Sequence, residues 1–530
     1  MSGGASEDAA FFFGRKTKSG AKDTARPSQA YVKKHLVPQM KEALKAKNSD
    51  IRDSACVGLG KTGSAEDIPT LVAMIKDKSN NVRAAAVLAI GMLQCREGIE
   101  PLLHILNVDA EGVKMRGGRE PEWRLRAMAA AALALCGDND KDVKEALKKY
   151  SANTTINKEV RVAATVGLGL LKGDKEFCAD LINHLKNLST KSRYDDFVRA
   201  HAVVAIGRVI ERNEMQVDPV TVKFINRLVR RDKVNHVRRS AVIALGTIFK
   251  GQGDNANPDS LKTLRQEFLS GKGGNMAKNY AAIALAKIGG STAYKSLSGV
   301  AVSDKTQRGV YAAIGLGIMC ENLQSKKDDQ DAKATRIKSL NAIRVGFKKC
   351  RNPGLQGGFA IALGIARDTD AGSLLLDVMK KKQTVALRGY IAIAMGMINY
   401  TSATEYLSNV LMNADNLPLL KQQVAIGLGL MGNREVAGVL VKQMKNSSNA
   451  FVTTSISKAL GFVGDRSTIV PLAEMMTDTN AQNITRAYAT LALGTVGDDS
   501  SISVLSDFFF GHNYLASTGT LTLLQRIMNS

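Results

Sequence analysis

The ten residues Val82-Arg-Ala-Ala-Ala-Val-Leu-Ala-Ile-Gly91 decide the fold. Over nearly three helical turns the only charge is at the second position, so a helix here is apolar almost all round and has to be buried. The same block occurs upstream as Ile51-Arg-Asp-Ser-Ala-Cys-Val-Gly-Leu-Gly60 and downstream as Leu125-Arg-Ala-Met-Ala-Ala-Ala-Ala-Leu-Ala134. Ten further copies start at Val160, Val198, Val237, Ala277, Arg308, Leu355, Leu387, Leu420, Val452 and Thr485. Periods in this range mark stacked repeats.

The tenth position is glycine in eleven copies (Gly60, Gly91, Gly169, Gly207, Gly246, Gly317, Gly364, Gly396, Gly429, Gly461 and Gly494) and alanine at Ala134 and Ala286. Glycine costs about 1 kcal/mol against alanine inside a helix, so its recurrence signals a close approach between neighbouring helices. Further glycines often follow three residues on, before a polar residue, as in Gly63-Ser64, Gly137-Asp138, Gly432-Asn433, Gly464-Asp465 and Gly497-Asp498. This is the pattern of one helix stopping and the next being capped. Between blocks lie more amphipathic stretches such as Ile68–Ile75, Ile99–Leu106 and Ile469–Met476, with Pro69, Pro101 and Pro471 near their starts. Each repeat is thus predicted to pair an outer helix, polar on one face, with a buried inner helix. No repeat covers its own inner helix, so stacking is obligatory. An open stack advancing about 8 to 10 Å per repeat would be elongated.

The block Val82 to Gly91 and the Ile-x-Pro-Leu run at Ile99 to Leu102 resemble the HEAT-repeat family, in particular its short repeats named after phycobilisome lyases. The resemblance covers residues 28–497. It implies an all-α, right-handed α-α superhelix of about thirteen helix pairs, a HEAT/armadillo-like solenoid. The family includes scaffolds, adaptors, transport receptors and a few enzymes, and it supplies no catalytic residue to carry over. Outside the array, residues 1–27 read as a basic mobile tail whose Phe11 to Phe13 either dock a partner or fold back on the first repeat. Residues 498–530 read as C-terminal capping helices.

The chain is strongly basic, with 73 Lys and Arg against 49 Asp and Glu and a formal charge of +24. That balance favours acidic or phosphate-bearing partners. The charge is localised: residues 201–400 hold 32 basic and 15 acidic residues, whereas residues 401–530 hold 8 and 9. Three basic clusters stand out in the middle: Arg227, Arg230, Arg231, Lys233, Arg238 and Arg239; Lys348, Lys349 and Arg351; and Lys380, Lys381 and Lys382. Periodicity alone leaves open whether they share a face. The second block position is basic in ten of thirteen copies, from Arg52 and Arg83 to Arg486. These residues read as inner-helix starts paired with turn residues such as Asp77 and Asp232, in preference to a phosphate ladder.

Three insertions interrupt the repeats, at residues 107–124, 189–197 and 321–332. The first holds Arg116, Gly117, Gly118, Arg119 and the sole tryptophan, Trp123, so that a glycine-hinged basic loop beside an aromatic ring could grip an anion; a plain solvated loop is the alternative. The six cysteines form no Cys-x-x-Cys pair and read as buried thiols in a reducing compartment. The six histidines show no metal-ligand spacing, and no phosphate loop occurs, so no cofactor is implied. With no apolar run of about 18 residues and no signal-like start, the chain reads as cytoplasmic. The leading functional expectation is a non-enzymatic scaffold that binds an acidic segment of a partner protein along an extended surface. Nucleic-acid or polyanion binding through the basic middle is the alternative, and a HEAT-like lyase or DNA glycosylase follows from the family resemblance. The partner and the oligomeric state are not encoded in any motif.

Overall fold

A computed structural model describes residues 27–498 apart from 272, 325–328, 382, 415–416, 433 and 448. The capping helices expected beyond Asp498, the N-terminal tail as far as residue 26, and Lys382 lie outside the described residues. Within them the chain is entirely helical and has no β-strand. All thirteen blocks form inner helices: α1 (Ser49–Thr62), α2 (Asn80–Met92), α3 (Trp123–Cys136), α4 (Lys158–Leu168), α5 (Asp196–Arg212), α6 (Asn235–Ile248) and α7 (Gly274–Ile288). They continue as α8 (Gln307–Leu323), α9 (Pro353–Ile365), α10 (Val385–Ile398), α11 (Pro418–Met431), α12 (Ala450–Val463) and α13 (Asn483–Gly497). An outer helix precedes each, so the helix-pair reading of the sequence is correct.

The inner helices are held close by the repeated small residue. A methyl group placed on Gly246 of α6 would lie 2.7 Å from the Cα of Ala284 in α7, far inside van der Waals contact. The same geometry sets Gly60 against Ala89, Gly91 against Ala132, Gly207 against Ala244, and Gly429 against Ala459. In each case the tenth residue of one block meets the eighth of the next. The helix stops divide into two kinds. Gly432 and Gly464 adopt the left-handed conformation at φ +62° and +64°, where a side chain is strained. Gly63 and Gly137 have negative φ and serve instead to leave room, because a methyl on Gly63 would sit 2.6 Å from the Leu59 carbonyl oxygen.

The chain divides into two compact units, one made of the segment up to Gly173 together with the segment from Ser408 onward, the other of Asp174 to Leu407. In the second unit α5 to α10 stack in chain order. In the first, α1 to α4 and α11 to α13 form one continuous stack, because α13 packs directly on α1. The sequence reading did not anticipate this contact between the first and the thirteenth inner helix. A methyl on Gly494 would lie 2.6 Å from the Cα of Gly58, which pairs the tenth position of the last block with the eighth position of the first. The seam therefore has the register of the Gly60–Ala89, Gly91–Ala132 and Gly429–Ala459 junctions of the same unit. Lys61, only 6% exposed, donates from Nζ to Thr495 Oγ1 at 3.1 Å across it. An apolar inner helix has to be covered, and here α1 and α13 cover each other.

All six cysteines are free thiols. Burial pushes Cys320 up to about 12 and raises Cys56 well above its ordinary value, so these groups are packing residues.

Gly246→Ala should destabilise the protein by roughly 1 to 3 kcal/mol through overpacking against Ala284. Gly299→Ala, in an exposed helix with open space around it, should stabilise by about 0.5 to 1 kcal/mol. Chemical denaturation of both variants checks the pair. Enlarging Gly494 to Val should open the seam, so that amide hydrogen exchange quickens in both α13 and α1 and stays unchanged in α5 to α10.

Candidate functional site

The insertion after the second repeat is a braced structure. His104 Nδ1 lies 2.7 Å from Asp109 Oδ2, and this hydrogen bond raises the His104 pKa. Asp109 also caps the short helix Ala110–Met115 by accepting from the Gly112 amide at 3.0 Å. The chain then turns through Gly117 and Gly118 at φ +77° and +81°. Arg116, read from the sequence as a ligand-gripping cation, is largely buried and donates from Nε to Glu122 Oε2 at 3.1 Å. The other oxygen of Glu122 accepts from Arg83 Nε at 3.0 Å. Arg116 is thus a brace. Of the three residues expected to act together, only Arg119 is fully exposed, while Trp123 is half-buried with the Arg124 guanidinium 5.3 Å from its ring.

In several copies the basic second position of the block is also structural. Arg126, Arg199, Arg238 and Arg486 donate from Nε to the carbonyls of Leu106, Ser189, Val229 and Met476, at 3.2, 3.0, 3.1 and 3.0 Å. Each acceptor lies at the C-terminal end of the preceding outer helix, where carbonyls lack helical partners and the helix dipole favours a cation. Arg52 and Arg199 reach in addition to Asp77 and Asp232 of the following repeat, at 2.7 and 2.9 Å. These arginines tie outer helix to inner helix and repeat to repeat.

The exposed cations of the basic clusters singled out in the sequence lie in the second unit, and most of them sit where an outer helix ends and turns into an inner one. The outer helix Pro219–Arg231 exposes Lys223, Arg227, Arg230 and Arg231, and Lys233 is exposed in the turn that follows. Lys348, Lys349 and Arg351 occupy the corresponding end of Gln330–Lys349, and Lys380 and Lys381 that of Gly372–Lys380; all are exposed. All three clusters thus occupy the same kind of junction, the turn from an outer helix into the next inner helix. The acidic residues of neighbouring turns are already engaged: Asp232 with Arg199, Asp196 with Arg199 at 3.3 Å, and Asp304 with Arg308 at 2.6 Å.

Two members of the first cluster differ from the sequence reading. Arg230 pairs with Asp259 and donates to Thr263 Oγ1 at 2.6 Å, so it joins two outer helices. Arg239 is half-buried, and its Nε makes no hydrogen bond among the described residues. Lys223 was missed. The signal for it is helical spacing, because residues 223, 227 and 231 fall on one face. Between Pro219–Arg231 and the next outer helix, Pro258–Ser270, runs an open groove of about 470 Å³ lined by Lys223, Arg227, Arg230 and Arg231, with Pro219 and Val222 as its aliphatic wall. Asn226 Nδ2 donates to Ser260 Oγ at 2.9 Å and holds the two helices together beneath it. None of the groove's lining residues is a nucleophile paired with a base.

The family model for HEAT repeats matches residues 37–117 and 404–493. Those two segments carry HEAT repeats. No curated protein sequence matches it. Among solved structures, importin beta is 14% identical, with 98% of this chain and 71% of that one aligned at a TM-score of 0.39. Human deoxyhypusine hydroxylase in complex with glycerol is 15% identical over 64% of this chain and 99% of that one, at a TM-score of 0.26. Kap121p bound to Pho4p is 15% identical over 94% of this chain and 59% of that one, at a TM-score of 0.40. Likenesses this distant assign no ligand to these HEAT repeats. Among the described residues no helix is long and apolar enough to cross a membrane, and no group of His, Cys, Asp and Glu could hold a metal ion.

Glu122 anchors the insertion and supplies a pH test. Burial pushes its carboxyl pKa up, but hydrogen bonds from Arg83 and Arg116 outweigh that and hold it below the ordinary value. A depressed pKa contributes stability above the unfolded-state value, and that stability is lost as pH falls through the folded-state value. Glu122→Gln should therefore cost about 1 to 3 kcal/mol at neutral pH, and the gap from wild type should close in acid melts.

Proposed function

We propose that the protein is a non-enzymatic HEAT-repeat scaffold whose second unit binds an acidic segment of a partner protein along the edge where outer helices turn into inner ones. The observation that carries this reading is the division of labour among charges on that edge. Arg231, Lys233, Lys348, Lys349, Arg351 and Lys381 are exposed and make no ion pair among the described residues, whereas the nearby carboxylates of Asp232 and Asp304 are consumed by internal arginines. A single-sign row of solvated cations favours an extended anionic partner and steers its approach. The array supports this by fixing the spacing between successive turns, so that the cations form a row with little conformational freedom to lose. The groove and the edge hold no arrangement of nucleophile, base and oxyanion donors, and the reading needs no cofactor.

The test uses a charge reversal that leaves structural arginines alone. With Arg231, Lys233, Lys348 and Lys349 changed to Glu, capture of the native partner from lysate should fall about tenfold or more at low salt, and the melting temperature should stay within roughly 2 °C of wild type. Wild-type binding should itself weaken steeply with added salt. Normal capture by the variant, or binding indifferent to salt, overturns the reading. Capture of nucleic acid alone, abolished by nuclease, would transfer the same edge to a polyanion of the other class.

A further inference from the structure

The groove of the second unit carries a row of regularly spaced cations. Lys223, Arg227 and Arg231 are exposed on one face of Pro219–Arg231 at intervals of four residues, and none makes an ion pair among the described residues. Four residues of helix rise about 6.0 Å, so the three cations span about 12 Å. Alternate residues of an extended chain are about 6.7 Å apart, so three alternating acids span about 13 Å. The mismatch of about 1 Å is within the reach of the flexible Lys and Arg stems.

The groove is open to solvent along Pro219–Arg231, and an extended chain, which packs about 4.8 Å from its neighbours in a sheet, is thinner than an α-helix with side chains, about 10 to 12 Å across, and enters such a groove more readily. The walls are Val222 and Pro219, and no aromatic residue lines the groove to stack on a base, which favours a peptide over a nucleic-acid strand. Asp259 is paired with Arg230, so neither of these two charges is left to answer a ligand and the row is made of Lys223, Arg227 and Arg231.

We propose that this groove binds an extended peptide segment with Asp or Glu at every second position, each acid meeting one of Lys223, Arg227 and Arg231. The proposal rests on the acidic-segment reading above and narrows it to a site and a pattern.

Two fluorescein-labelled peptides of identical composition test it against the full chain at low salt: Gly-Glu-Gly-Glu-Gly-Glu-Gly and Gly-Gly-Glu-Glu-Glu-Gly-Gly. The alternating peptide should bind about fivefold or more tightly, and the Lys223→Glu, Arg227→Glu double variant should lose that binding about tenfold while melting like wild type. The Lys348→Glu, Lys349→Glu, Arg351→Glu variant should keep it. Equal affinity for the two peptides overturns the proposal, as does an oligothymidylate that displaces the alternating peptide and is itself lost in the double variant. If the alternating peptide is lost only in the Lys348, Lys349, Arg351 variant, the groove is excluded and the acidic-edge reading survives. If neither variant changes the binding of either peptide, both readings fall. Should the double variant melt early, Lys223→Gln with Arg227→Gln makes the same comparison without introducing repulsion.

Discussion

The contact on which everything else depends is the approach of one inner helix to the next at a residue with no side chain. Packed helices are normally kept apart by the side chains between them. Here a methyl on Gly91 would lie 2.6 Å from the Cα of Ala132, and comparable intrusions recur along both units. Close packing of this kind leaves little room for the inner helices to slide or rotate relative to one another. It also explains the arginine at the second block position. With inner helices set so close, the outer helices have to be fastened individually, and a guanidinium reaching back to the last carbonyls of the outer helix does so at Arg126, Arg199, Arg238 and Arg486.

The repeat was legible because it is written in residues whose physical meaning is local. Glycine at the tenth position, an apolar run before it and a basic residue near its start specify an inner helix without knowledge of what it touches. The helix stops were legible for the same reason, although the role of Gly63 was not: it looks like Gly464 in sequence and differs from it in φ. The seam between α13 and α1 was hidden because nothing in Thr485 to Gly494 distinguishes a last repeat from an interior one. That sameness was itself the signal, since a terminal repeat that faced water would need a polar outer side.

The candidate site was legible as a region and only partly as residues. The count of charges located the second unit, but a count does not separate a cation facing solvent from one consumed by a partner far away in sequence. Arg116 and Arg230 were both singled out for ligand binding, and both turn out to serve neighbouring carboxylates, Glu122 and Asp259. Lys223 went unnoticed because it stands apart from the dense run, and only the helical period connects it to Arg227 and Arg231.

The seam has a consequence for how the molecule is made. Neighbouring repeats contact over short sequence separations, so most of the chain can fold progressively as it leaves the ribosome. The pairing of Lys61 with Thr495 joins residues 434 positions apart. The first inner helix must therefore wait, one flank uncovered, until the thirteenth has been synthesised. Throughout that interval the nascent chain exposes a glycine-lined apolar surface whose native match, Gly494 with its neighbours, also exists on every finished copy of the protein nearby. Exchange of end repeats between copies is the characteristic error of such an arrangement. Chain-length-dependent synthesis, more than the stability of any single repeat, is then the step at which this architecture is vulnerable.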